Sequence, residues 1–155
     1  MKKLYKSRAK RCVALLLAFF LILPAFPASP ADAAQPRASD YLDAYTAYVY
    51  SAGWGNMRVY FDVIGYGYLE AIGALSIEIY ESKDNENWTW KAVYNHDQYS
   101  QMLSYNDNYH SGYVEYDGVV GRYYKAYVCI WGGGLEVGDA RYFYTSAKRA
   151  TLFAE

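Results

Sequence analysis

The strongest constraint on the fold is a two-residue alternation of apolar and polar side chains. Between residues 56 and 63 the apolar positions are Met57, Val59, Phe61 and Val63, and polar residues or tyrosine fill the positions between them. A period of two places successive side chains on opposite faces of an extended chain. The segment therefore predicts a β-strand with one buried face and one wet face.

Six further segments follow a similar pattern, and clusters of Gly, Asn, Asp and Ser separate them. They span residues 42–51, 75–80, 88–94, 112–116, 123–131 and 140–145. Seven short strands with turns at this spacing predict an all-β fold, specifically an antiparallel sandwich of the immunoglobulin or fibronectin III type. We expect the polar stretch 95–111 to be a long connection between two sheets, anchored by Met102 and Leu103.

The N-terminus has the organisation of a secretory signal peptide. MKKLYKSRAKR is basic, residues 13–23 are apolar, and Pro24, Pro27 and Pro30 follow. The apolar run is about half the roughly 20 residues that a membrane-spanning helix needs, so a retained anchor is the weaker alternative. Cleavage fits best after Ala33, or one residue later. Cleavage after Ala33 predicts a signal peptide at 1–33, a polar lead at 34–40, a β-sandwich domain at 41–146 and a C-terminal tail at 147–155. The predicted location is extracellular.

The charge and cysteine content of the secreted part restrict its partners. Without residues 1–33, nine basic and fifteen acidic residues remain, a net charge of about −6. This balance disfavours nucleic acid and anionic lipid, so we expect no membrane partner after cleavage. Cys129 is then the only cysteine, which predicts a packed thiol and no internal disulfide. We expect a monomer.

Several motifs are similar to those of a family of small secreted proteins from clostridia and related Gram-positive bacteria. They are GNMRVYFDV, IGALSIEIYE, a strand that begins with Trp, a Met-Leu pair, and SGYVEYDG ahead of a tyrosine-rich strand. The resemblance spans about residues 38–146 and implies an immunoglobulin- or fibronectin-like domain. It implies no activity and no catalytic residues.

Residues suited to catalysis or metal binding are sparse. A hydrolase would require His96 or His110 to meet an acid and Ser104 or Ser111, but no nucleophile-elbow motif surrounds either serine. Neither of the chain's Asn- and Asp-rich turns, 84–87 and 106–108, has the ligand spacing of a calcium loop, although ligands scattered in sequence could still hold calcium. We expect no catalytic residues, no metal site and no cofactor.

Aromatic residues are the one excess that simple solvation does not explain, since nineteen of the twenty tyrosines follow residue 33. If strands 123–131 and 140–145 are neighbours, one sheet face carries Tyr123, Tyr127, Tyr142 and Tyr144, with Trp131 beside a glycine loop. These rings could bind a ligand or could stabilise the sheet through cross-strand pairs. Trp88 and Trp90 are expected on the face of Ala92 and Tyr94, which would be core.

Tyr124 has a different, structural prediction. A tyrosine that opens the penultimate strand after a glycine turn resembles the tyrosine corner of β-sandwiches, in which the ring is buried and the hydroxyl binds upstream backbone. Together these features predict a secreted, non-catalytic binding or interaction module whose partner is an extracellular glycan or protein. A carbohydrate-binding module and a small secreted hydrolase are the alternatives.

Overall fold

The described part of the chain is all-β and antiparallel, as predicted. The computed structural model describes residues 39–134 and 136–155, which form a seven-stranded sheet that curls into a half-barrel. Its strands are β1 Leu42–Gly53, β2 Asn56–Ser82, β3 Trp88–Asn95, β4 Leu103–Asp117, β5 Tyr123–Gly133, β6 Gly138–Tyr144 and β7 Lys148–Arg149. The predicted signal peptide at 1–33, and residues 34–38 of the polar lead, lie outside the described residues.

Strand β2 is the centre of the sheet. Its first half lies between β1 and β4, and its second half lies between β5 and β3. The sequence predicted two separate strands here, at 56–63 and 75–80, but the intervening residues stay extended. Gly73 permits the bend between the halves, because its φ of +144° is unfavourable for other residues.

The core lies between the two halves of the curled sheet. One buried cluster contains Val59 and Phe61 from the first half of β2, Ile77 and Ile79 from the second half, and Val128 from β5. The alternation predicted for residues 56–63 is confirmed, since all four of its apolar side chains are buried. The burial of apolar side chains from both halves in one cluster explains why the sheet curls.

Strand β4 corrects the predicted connection at 95–111. Irregular structure covers only 96–99 and a 3₁₀ turn at Ser100–Met102, after which β4 pairs along most of β2. Met102 and Leu103 are buried, as expected of anchors. The polar composition of this stretch resembles a loop, but pairing with a strand distant in sequence outweighs local propensity.

The segment predicted to be a C-terminal tail is part of the sheet. Strand β7 pairs with the start of β5, and the last residues run beside the end of β1. There the backbone N–H of Trp54 donates to the carbonyl oxygen of Leu152 at 3.0 Å, and that of Glu155 donates to Ser51 at 2.9 Å. Within the described ranges no helix is long and apolar enough to cross a membrane.

Candidate functional site: an aromatic face on the outer side of the sheet

Strand β5 separates a buried side from an outer side. Tyr124, Ala126, Val128 and Ile130 alternate along the strand and are all buried. The residues between them point outward, apart from the tightly packed Cys129, whose side chain is also buried. Strands β5 and β6 are hydrogen-bonded neighbours, with Tyr127 opposite Tyr144 and Cys129 opposite Tyr142. The predicted juxtaposition of tyrosines on these two strands is therefore present.

Tyr127 is the centre of a group of three rings. Its ring centroid lies 4.6 Å from that of Tyr144 and 6.1 Å from that of Tyr142. Tyr127 is half-buried by these contacts, whereas Tyr142 is 60% exposed and Tyr144 is 53% exposed. Tyr127 thus joins the two strands, and its partners keep much of their surface in solvent.

The other two predicted site residues lie at opposite ends of β5. Tyr123 pairs with Arg149, whose guanidinium carbon is 5.9 Å from the tyrosine ring. Trp131 extends over Gly138, where an added Cβ would come within 2.5 Å of the indole. In the described part of the chain neither ring contacts the three tyrosines. The structure therefore brings together three of the five predicted residues.

A β-bulge in β3 places Trp88 and Trp90 on the outer side of the sheet, although they were predicted to lie in the core. Ala92 pairs with Ile79 but Trp90 pairs with Tyr80, so Lys91 is an extra residue in the strand. An extra residue shifts the alternation by one position. Side chains before and after the bulge that would otherwise share a face therefore lie on opposite faces. Ala92 packs against the core, whereas Trp90 is 52% exposed on the outer side. The expectation that all four residues share one face is wrong for this reason.

Lys125 occupies the middle of this surface. Its Nζ lies 4.3 Å from the ring centroid of Trp88 and 4.7 Å from that of Tyr144, so the ammonium is held between two aromatic rings. The ring of Tyr80, which pairs with Lys125 across β2 and β5, packs edge-on against Tyr144 at 5.9 Å. We call this surface the aromatic face, and it comprises Tyr80, Trp88, Trp90, Lys125, Tyr127, Tyr142 and Tyr144.

Two hydroxyl groups of the aromatic face have raised pKa values. The hydroxyl of Tyr80 donates to Oε2 of Glu78 at 2.8 Å, and this bond raises the pKa of Tyr80 to about 12. The Cys129 side chain raises the pKa of Tyr142 as well. The hydroxyls of Tyr80 and Tyr142 therefore stay neutral near pH 7. Lys125 and Glu78, which lies opposite Tyr127, add an amino and a carboxyl group to the face.

Tyr124 has the geometry predicted for a tyrosine corner. It is buried, and its hydroxyl accepts a hydrogen bond from the backbone N–H of Val119 at 2.8 Å. The same hydroxyl donates to Oε2 of Glu81 at 2.6 Å, a contact that the sequence analysis missed. Continuing the alternation of Ile77 and Ile79 by two positions would have placed Glu81 on the inner side.

A second group of tyrosines, also missed from sequence, crosses the other half of the sheet. Tyr48, Tyr60 and Tyr113 are in register on β1, β2 and β4, with ring centroids 5.5 and 5.1 Å apart. The rings of Tyr48 and Tyr60 are stacked, with 11° between their planes, and those of Tyr60 and Tyr113 are tilted by 36°. The guanidinium of Arg58 covers Tyr113 at 4.9 Å and pairs with Glu115. We call Tyr48, Tyr60 and Tyr113 the second tyrosine row.

The histidines that a hydrolase would need are engaged elsewhere. Nε2 of His110 is 2.9 Å from the carbonyl oxygen of Gln101, and Nδ1 of His96 is 3.5 Å from Asp97. Ser104 donates to Asp107 at 3.1 Å. Among the residues described here, neither histidine is hydrogen-bonded to a serine, and no three His, Cys, Asp or Glu side chains converge as a metal site would require.

Comparison with known proteins adds little to these observations. No family model and no curated protein matches the chain. One solved structure to which it is similar is a family 76 glycoside hydrolase from a bovine Bacteroides thetaiotaomicron strain, at 19% identity. The match covers 69% of this chain and 20% of that chain, with a TM-score of 0.29. A similarity this low carries no argument about fold or activity.

Proposed function

We propose that this protein is a secreted, non-catalytic binding module that holds an extracellular glycan on its aromatic face. The observation that carries the proposal is the combination of exposed rings, at Trp90, Tyr142 and Tyr144, with charged groups at Lys125 and Glu78. Aromatic rings contact the apolar faces of sugars, and neighbouring polar groups bind their hydroxyls. In this proposal the domain has an immunoglobulin- or fibronectin-like arrangement, and the Tyr124 corner supports that arrangement.

The rings of this face also stabilise the sheet, and the two roles belong to different residues. Tyr127 is half-buried between two other tyrosines, so its main contribution is to packing, at about 0.2 to 1 kcal/mol for each cross-strand pair. Tyr142 and Tyr144 are more than half exposed and can contact a ligand without losing these pairs. A variant that tests binding should therefore change an exposed ring and leave Tyr127 in place.

The test compares two tyrosines that differ in position but not in exposure. Tyr144 on the aromatic face is 53% exposed, and Tyr48 in the second tyrosine row is 52% exposed. We expect the secreted protein to bind at least one member of a panel of cell-wall polysaccharides, peptidoglycan and mucin. Tyr144→Ala should abolish saturable binding and Tyr48→Ala should retain it. Equal loss in both variants, or no binding to any glycan, would refute the proposal.

Secretion itself has a direct test. In culture medium, mass spectrometry of the intact protein should find an N-terminus at Ala34, one residue after the predicted cleavage site. Retention of the full-length chain in the cell would contradict both the predicted signal peptide and the proposed location.

A second candidate function, protein recognition, is favoured by a different surface. At one end of the sheet the large apolar side chains are exposed, led by Trp54 at 80% and Phe153 at 79% and including Leu152, Val119 and Val120. Trp54 has a φ of 57°, a left-handed conformation that is costly for a bulky residue. Strain of this kind often marks functional positions. The test is to cross-link a protein partner to the unmodified protein and to both variants. A partner that is lost in Trp54→Ser and retained in Tyr144→Ala would support this candidate.

A further inference from the structure

We infer that the ligand of the aromatic face carries an anionic group, a carboxylate or a sulfate, and that Lys125 is the residue that recognises it. The inference rests on the proposed glycan-binding function and adds the chemical class of the glycan. It depends on the missing anionic partner of Lys125, on the cost of covering this residue with a neutral ligand, and on the charges nearby.

Among the described residues, Lys125 is a half-buried cation without a carboxylate oxygen within 4.0 Å. Five other cations in the described ranges lie within 4.0 Å of a carboxylate oxygen: Arg58, Lys91, Arg122, Arg141 and Lys148. Lys83 and Arg149 have no such partner either, but both are exposed to solvent. Lys125 therefore combines partial burial with an unmatched charge.

Aromatic rings compensate for this burial only in part. Trp88 and Tyr144 flank the ammonium on two sides, which leaves its remaining surface to water. A neutral ligand that covered the face would remove this water and supply no charge, and such desolvation is costly. A ligand with a carboxylate or sulfate over Lys125 would replace the water by a charge-assisted hydrogen bond. The face should therefore favour an acidic glycan over its neutral counterpart.

Lys125 has a second cation on its own side of the sheet, although the secreted chain as a whole is acidic. Arg149 lies against Tyr123, two residues before Lys125 on β5. Glu78 lies opposite Tyr127 across β2 and β5, and its Oε2 already accepts a hydrogen bond from the hydroxyl of Tyr80. The Glu78 carboxylate can still accept hydrogen bonds from hydroxyl groups of the same sugar.

The experiment uses pairs of polysaccharides that differ only in charge. Polygalacturonate is compared with its fully methyl-esterified form, and dextran sulfate with dextran, by calorimetric titration of the secreted protein at low and high salt. We expect the acidic member of at least one pair to bind about tenfold or more tightly, with affinity that falls as salt rises. The pair that responds distinguishes a carboxylate from a sulfate.

Two substitutions assign the effect to Lys125. Lys125→Gln should reduce affinity for the acidic polysaccharide about tenfold, whereas Lys125→Arg should retain most of it, with thermal unfolding measured for both. Equal binding of acidic and neutral members would overturn the inference and leave glycan binding intact. Failure of every polysaccharide to bind would overturn both. If Lys125→Gln does not fold, the inference is tested on the unmodified protein and on Lys125→Arg. Their binding to the acidic and neutral member of each polysaccharide pair still decides the question.

Discussion

The hydroxyl of Tyr124 donates a hydrogen bond to Oε2 of Glu81 at 2.6 Å, across two strands and 43 residues of sequence. Oε1 of the same carboxylate lies 3.2 Å from Nζ of Lys91 and 3.3 Å from Arg122. Glu81 is the only buried acidic side chain among the described residues, and both of its oxygens have partners. This arrangement ties β2, β3 and β5 together at one end of the core.

Removal of the Tyr124 hydroxyl should destabilise the protein. In Tyr124→Phe the buried Glu81 loses a donor and the N–H of Val119 loses its acceptor, so we expect the free energy of unfolding to fall by about 1 to 3 kcal/mol. Urea denaturation measures this change.

Tyr116→Phe is the matched control for that substitution. The Tyr116 ring packs 5.7 Å from that of Tyr124, but in the described part of the chain its hydroxyl has no hydrogen-bond partner. Its stability should change by less than about 0.5 kcal/mol. A loss in Tyr124→Phe as small as that in Tyr116→Phe would show that the bond to Glu81 adds no stability and that Tyr124 acts through its ring.

The Glu81 carboxylate should make stability depend on pH in the acid range. Burial opposes ionisation of this group, but bonds from Tyr124 and Lys91 and the charges of Lys91 and Arg122 outweigh burial, so its pKa lies below 4.5. A carboxyl with a lower pKa in the folded chain stabilises the fold above its unfolded pKa. That contribution is lost as the pH falls through the folded pKa.

Glu81→Gln isolates this contribution from those of other acids. The unmodified protein should be more stable than the variant at about pH 7, and the difference should shrink steadily below about pH 4.5. Chemical denaturation of both proteins over this range measures the difference. A gap that stays constant down to about pH 2 would mean that ionisation of Glu81 contributes nothing to folding.

Features set by local alternation could be predicted from the sequence, and features set by pairing between distant strands could not. The buried side of residues 56–63 and the corner at Tyr124 follow from spacing and from a preceding turn. The bulge at Lys91 is visible only against the register of β2, so Trp88 and Trp90 were placed on the wrong face. Lys125 was missed as a site residue for the same reason, since one of its two aromatic partners is Trp88.

Cys129 should be unreactive in the folded protein. Its side chain is 3% exposed, and burial raises the pKa of its thiol, so little of the reactive thiolate is present at neutral pH. We expect iodoacetamide to label the native protein at least about a hundredfold more slowly than the urea-unfolded protein, because labelling requires opening of the sheet. Mass spectrometry follows the reaction. Rapid labelling without denaturant would show that β5 and β6 separate readily.

The bend of β2 should depend on Gly73 and not on a neighbouring glycine of the same strand. A Cβ at Gly73 would lie 2.2 Å from the backbone carbonyl oxygen of Met102, and its φ is +144°. The close contact and the unfavourable φ cannot both be relieved without separating β2 from the turn before β4. Gly73→Ala should therefore lower the free energy of unfolding by roughly 3 kcal/mol or more.

Gly67→Ala is the control for this substitution, because a Cβ at Gly67 would meet no atom within 4 Å. Thermal unfolding of the two variants should show a large loss of stability for Gly73→Ala and almost none for Gly67→Ala. If both variants unfold like the unmodified protein, β2 can bend without the close approach at Gly73. The continuous central strand would then owe its curvature to the core alone.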